Sequence, residues 1–110
     1  MDNLSKYQAI YQIVQHIPKG RVCSFGIIAK FAGPGITARM VGRALFASGD
    51  QIHIPAHRVV NREGKLTGKL NFDTPTLMQE LLEKEGIQIK NDKVVDFNQK
   101  FWSPDEIDAS

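Results

Sequence analysis

One cysteine in 110 residues has no partner within the chain, so an internal disulfide framework is excluded. Three scattered histidines with that single cysteine offer no zinc-ligand spacing, and neither a metal nor a cofactor is expected. The chain has no long apolar run and no signal-peptide-like hydrophobic region, which excludes a membrane partner as an expectation and points to a soluble, cytoplasmic protein. Internal repeats and low-complexity stretches are also missing. The length suits one domain spanning residues 1–110 around one core, expected as a monomer.

What is present is an uneven distribution of charge. The net charge is only +2. Residues 1–70 nevertheless hold ten Lys/Arg against three Asp/Glu, whereas residues 71–110 hold four against nine. A basic half of this size suits a polyanionic partner, because neutralised phosphates release counterions. Segregated but merely solvated charge would look the same, so asymmetry alone decides nothing.

Ser5-Lys6-Tyr7-Gln8 has the form of a capping box opening a helix. Tyr7, Ile10, Tyr11, Val14 and Ile17 recur at helical spacing until Pro18 and Gly20 stop the run. A second helix is predicted after Ser24, ending near Gly33-Pro34-Gly35, and that tripeptide forces a turn before a third helix near Ile36 or Thr37. On the third helix Met40, Val41, Ala44 and Leu45 fall on one face, and Arg39, Gly42, Arg43 and Phe46 on the other. A small residue between two arginines suits close approach to a nucleic-acid groove. Val59-Val60 and Lys65-Leu66, flanking Asn61 to Gly64, read as a short hairpin or wing. Thr74 and Pro75 read as the N-cap and first-turn proline of a last helix that Gly86 ends. The expected class is α/β, mostly α: a winged-helix-like helix-turn-helix domain.

The segment Ile54-Pro55-Ala56-His57-Arg58-Val59-Val60 resembles the Pro-Cys-His-Arg-Val signature of the O6-alkylguanine-DNA alkyltransferases. Ile17 to Gly26 resembles that family's Ile-Pro-x-Gly-x-Val-x-Ser-Tyr-Gly segment, and Ala38 to Leu45 its Ala-Arg-x-Val-Gly recognition helix. Arg39 precedes Ala56 by the family's 17 positions, Gly64 and Gly68 follow, and Leu81 to Gly86 resembles its Leu-Leu-x-x-Glu-Gly ending. The likeness runs from Ile17 to Gly86, 70 residues in consistent order, and covers only the family's C-terminal DNA-binding domain, with no partner domain expected.

One position breaks the pattern. Ala56 stands where the family has its alkyl-accepting cysteine, and a methyl group cannot form a covalent intermediate. The resemblance is therefore to the alkyltransferase-like proteins, non-enzymatic binders of alkylated DNA. It implies base flipping of O6-alkylguanine in double-stranded DNA, without alkyl transfer, and damage-recognition proteins of nucleotide excision repair as further partners. Arg39 is implied to fill the space a flipped nucleotide leaves, a role for which a stacking, hydrogen-bonding guanidinium is suited. Ala38, Gly42 and Arg43 are implied to meet the DNA beside it. Phe25 replaces a tyrosine that crowds the target phosphate, keeping the bulk and losing the hydroxyl. Phe25, Ala56, His57, Val59, Val60, Gly68 and Lys69 are the expected lesion pocket, with the loop from Gly68 to Asn71 lining the base site. Lys69 replaces a tyrosine and Ala56 a cysteine, so a site that tolerates larger alkyl groups is expected, and Ser48 replaces an asparagine at the hinge between the recognition helix and the site. Without a thiol to activate, His57 is expected to be structural, and Arg58 and Glu85 to be braces. Cys23 and Trp102 are expected to serve as core residues. Two other functions fit the same residues: a hydrolytic dealkylase or glycosylase using His57 and Glu85, and a sequence-specific winged-helix regulator.

Overall fold

A computed structural model describes residues 3–49, 51 and 53–108. Helix α1 spans Asn3–Val14, strand β1 Cys23–Ser24, helix α2 Phe25–Ala32 and helix α3 Ala38–Ala47. A 3-10 turn at Ala56–Arg58 leads into β2 (Val59–Val60), and another at Lys69–Asn71 precedes α4 (Leu77–Lys84). Strands β3 (Ile89–Lys90) and β4 (Lys93–Val94), helix α5 (Phe97–Lys100) and a 3-10 turn at Pro104–Asp108 complete the order.

The helix starts follow from side chains that satisfy orphan amides. Ser24 Oγ accepts from the amide of Ile27 at 3.3 Å, and Thr37 Oγ1 accepts from that of Met40 at 3.2 Å. Between α2 and α3 the chain turns through Gly33 and Gly35, both at positive φ (137° and 80°), a backbone that costs glycine nothing. Helices α2 and α3 pack on each other and on α1, making the helix-turn-helix. Tyr11 of α1 fixes α3 further, donating its hydroxyl to the Ala44 carbonyl at 2.5 Å.

Two apolar clusters hold these parts. Ile10, Val14, Ile17, Cys23, Ile28 and Val41 belong to the first, under the helix-turn-helix, and Trp102 packs into it. Val22, Val60, Leu66, Met78, Leu82 and Ile87 belong to the second, against α4.

Several expectations at element ends need correction. Helix α1 is already running at Asn3, so Ser5 lies inside it rather than at its N-cap. Helix α4 begins two residues later than Thr74-Pro75 suggests, with Thr76 at its N-cap and the Thr76 hydroxyl donating to Glu80 at 2.6 Å. Val59-Val60 and Lys65-Leu66 are not hairpin partners. Strand β2 pairs instead with β1 in parallel, Cys23 opposite Val59 and Ser24 opposite Val60. Asn61 to Gly64 still form a turn, but Lys65 bridges to Lys93 of the β3–β4 hairpin. That hairpin turns through Asn91 and Asp92, both left-handed (φ 53° and 60°), as a tight two-residue connection requires. Long-range pairing thus prevailed over the local signal.

Candidate functional site

The parallel β1–β2 pair positions the site. It anchors the chain just after Ala56–Arg58 to the chain just before α2, so that Ala56 and Phe25 face one cleft. Phe25, Ala56 and Val59 line this cleft together with Gly42 and Leu45 of α3. Gly49, Gly68, Asn71 and Phe72 close the other side. It contains about 390 Å³ of non-protein space, part of it open to solvent. A Cβ on Gly42 would stand 4.0 Å from the Phe25 ring, and one on Gly68 would stand 3.7 Å from it. Larger side chains at either position would narrow the mouth.

On the outer face of α3, Ala38, Arg39 and Arg43 are exposed, while Val41, Ala44 and Leu45 are buried and Met40 packs on the core. Phe46 continues the outer face with 66 % of its surface exposed, and Leu70, beside Gly68, is 78 % exposed.

Behind Ala56 lies a tight ionic cluster. Glu85 receives His57 Nε2 at 2.7 Å on Oε2, the Arg58 guanidinium through Nε and a terminal nitrogen at 2.8–3.1 Å, and the Gly20 amide at 3.1 Å. Arg58 also donates to the Ile17 carbonyl at 2.8 Å, tying the end of α4 to the segment after α1. Burial alone would raise the Glu85 pKa, but the bonds from Arg58, His57 and Gly20 outweigh it and hold the carboxyl at about 2. For His57 burial prevails over the attraction of Glu85 and lowers the pKa of the imidazole. With Nε2–H donating to Glu85, Nδ1 is left as an acceptor. No atom at position 56 can use it.

The remaining candidates fall into place unevenly. Val60 is fully buried in the second apolar cluster, because strand alternation turns it away from Val59. Lys69 sits on the turn after Gly68 with its ammonium paired to Asp92, away from the cleft lining. Ser48 is buried and bonds the Leu45 carbonyl at 2.6 Å, so it closes its own helix end instead of bridging toward the site. Cys23 is fully buried, and burial pushes its thiol up to about 12, which leaves no thiolate at neutral pH. Leu45, Gly49 and Phe72 line the cleft without having been foreseen. Their only sequence signal is proximity to motif residues, since cleft walls depend on how distant loops meet. Among the described residues no cluster of three or more His, Cys, Asp or Glu side chains could hold a metal ion, and no helix is long and apolar enough to cross a membrane.

Residues 5–87 match the DNA-binding domain of 6-O-methylguanine DNA methyltransferase. The chain belongs to that family. Within it, the chain is 29 % identical over 102 residues to the alkyltransferase-like protein 1 of Schizosaccharomyces pombe, covering 89 % of this chain and 94 % of that one. It is 38 % identical over 98 residues to the DNA base-flipping protein of Escherichia coli, covering 87 % and 73 %. The crystal structure of S. pombe Atl1 in complex with damaged DNA containing O6-carboxymethylguanine superposes with a TM-score of 0.83 at 29 % identity, over 94 % of this chain and all of that one. The small, mostly helical fold is therefore that of the alkyltransferase-like proteins.

Proposed function

We propose that this protein binds double-stranded DNA carrying O6-alkylguanine, turns the damaged nucleotide into the cleft at Ala56, and leaves the alkyl group in place. The observation that carries this reading is the combination at one spot of an open cleft, an intact His57–Glu85–Arg58 cluster and a methyl group where the family's thiol would stand. Arg39 leads from the exposed face of α3 into the duplex, and Arg43 meets phosphate. Phe25 supplies bulk at the cleft wall, and flipping is favoured at a damaged pair because opening it costs less. The name of the E. coli relative and the damaged DNA in the S. pombe complex support the same reading.

A binder that leaves its lesion untouched has a purpose only if something else removes it. Damage-recognition proteins of nucleotide excision repair, in the cytoplasm, are the partners that the resemblance to the alkyltransferase-like proteins implies. Hydrolysis with His57 as base, oriented by Glu85 through Nε2, is the rival reading, and it would change the mass of the DNA. The test is binding of a duplex with one O6-methylguanine against its undamaged twin, followed by weighing protein and DNA. Preference for the damaged duplex with no change in either mass is expected. Equal binding, or a methylated protein, would refute it.

A further inference from the structure

Two clefts meet at Ala56. The second contains about 1010 Å³ of non-protein space, part of it open to solvent, and shares Gly49, Ala56, Asn71 and Phe72 with the first. It continues beyond Ala56 along Ile54, Pro55, Leu77 and Leu81. A substituent on a base seated in the first cleft and directed at Ala56 can therefore extend into the second.

The walls of that extension are mostly apolar, and among the described residues they carry one exposed carboxylate, Asp73. Among the described residues no lysine or arginine lines it. The nearby cations are engaged elsewhere: Arg58 is held by Glu85, and Lys69 is paired with Asp92. His57 does line it, with its Nε2 bonded to the Glu85 carboxylate. An anionic substituent would leave water for an apolar surface and meet an unbalanced negative charge there, whereas an uncharged or cationic one would not.

We infer that Asp73 sorts O6-alkylguanine lesions by charge, so that uncharged and cationic substituents are accepted and carboxylate-bearing ones are disfavoured. The inference rests on the lesion-binding reading above and adds a specificity determinant to it. It sets this chain apart in expectation from S. pombe Atl1, whose crystallised complex holds O6-carboxymethylguanine.

The test uses two nearly isosteric lesions in otherwise identical duplexes, O6-carboxymethylguanine and O6-carbamoylmethylguanine, with O6-methylguanine and undamaged guanine as references. The wild-type protein is expected to bind the carbamoyl lesion about three-fold or more tightly than the carboxylate lesion at low salt, a ratio that shrinks as salt screens the repulsion. Asp73→Asn should bring the ratio close to one, and Asp73→Lys should invert it. Removing a negative charge strengthens binding to every duplex, so the ratio between the two lesions is the readout and not either affinity. A wild-type ratio near one, or a ratio that Asp73→Asn leaves unchanged, overturns the inference while the preference for O6-methylguanine over guanine stands. If that preference is itself missing, the lesion-binding reading falls and the inference falls with it.

Discussion

His57 Nε2 lies 2.7 Å from Glu85 Oε2, so the imidazole stands oriented beside position 56 with no nucleophile to serve. The carboxylate that orients it is itself held by Arg58 and by the Gly20 amide. The cluster ties α4, the Ala56–Arg58 turn and the segment after α1 together. The cluster thus has a structural task that needs no nucleophile at position 56.

That task has a pH signature. The Glu85 carboxyl is held at about 2 against an ordinary 4.5, so its folded-state pKa is depressed. The associated stability is fully present above pH 4.5 and is lost as pH falls toward 2. Glu85→Gln should therefore cost about 2 kcal/mol at pH 7, after allowance for solvent screening, and little at pH 2. Urea denaturation of both proteins at the two pH values checks this. An equal cost at both would assign the role to packing and not to charge.

Arg39→Ala should remove most discrimination between damaged and undamaged duplexes, while leaving weak, salt-sensitive binding through phosphate contacts. Arg43→Ala should weaken both duplexes to a similar degree. Titrations at two salt concentrations separate the effects, and identical behaviour of the variants would contradict the division of labour along α3.

Trp102 lies outside the segment that matches the family, yet it is buried in the first apolar cluster, and its amide donates to the Val22 carbonyl at 2.7 Å. Trp102→Ala should destabilise the fold by about 3–5 kcal/mol, read as a lower denaturation midpoint with unchanged slope. Lesion preference of the folded fraction should remain. Loss of preference at full folding would place Trp102 in the binding machinery.

Ala56→Cys restores a thiol next to a His57 whose Nδ1 is available as an acceptor. Attack needs the sulfur within about 3–3.5 Å of the alkyl carbon and aligned with it. The paired Lys69 and the self-bonded Ser48 depart from the family's pattern, so alignment should be imperfect. Slow but detectable methyl transfer is expected, measured as added mass on the peptide carrying the new cysteine. No transfer after long incubation, with lesion binding intact, would show that the pocket has changed in more than its nucleophile.

The parts of the fold governed by short-range chemistry were legible in the sequence. Ser24 and Thr37 announce the starts of α2 and α3, the glycines at 33 and 35 the turn between them, and 3.6-residue periodicity separates Val41, Ala44 and Leu45 from Arg39 and Arg43. What was not legible depends on partners far along the chain. Val59 and Val60 pair with Cys23 and Ser24 instead of the nearby Lys65 and Leu66, and Val60 turns into the second cluster because alternation in β2 allows only one of the two valines to face the cleft. Phe72 and Asp73 reach the site only because the loop before α4 folds back over Ala56. Motif likeness identified the cluster of His57, Arg58 and Glu85, but the bonds that make Glu85 its hub required coordinates.

The most direct measurement is a titration of the wild-type protein against two duplexes of identical sequence, one holding a single O6-methylguanine, with protein and DNA weighed afterward. The account predicts tighter binding of the damaged duplex, with both masses unchanged. Equal affinity for the two duplexes, or a methyl group moved from DNA to protein, would contradict it.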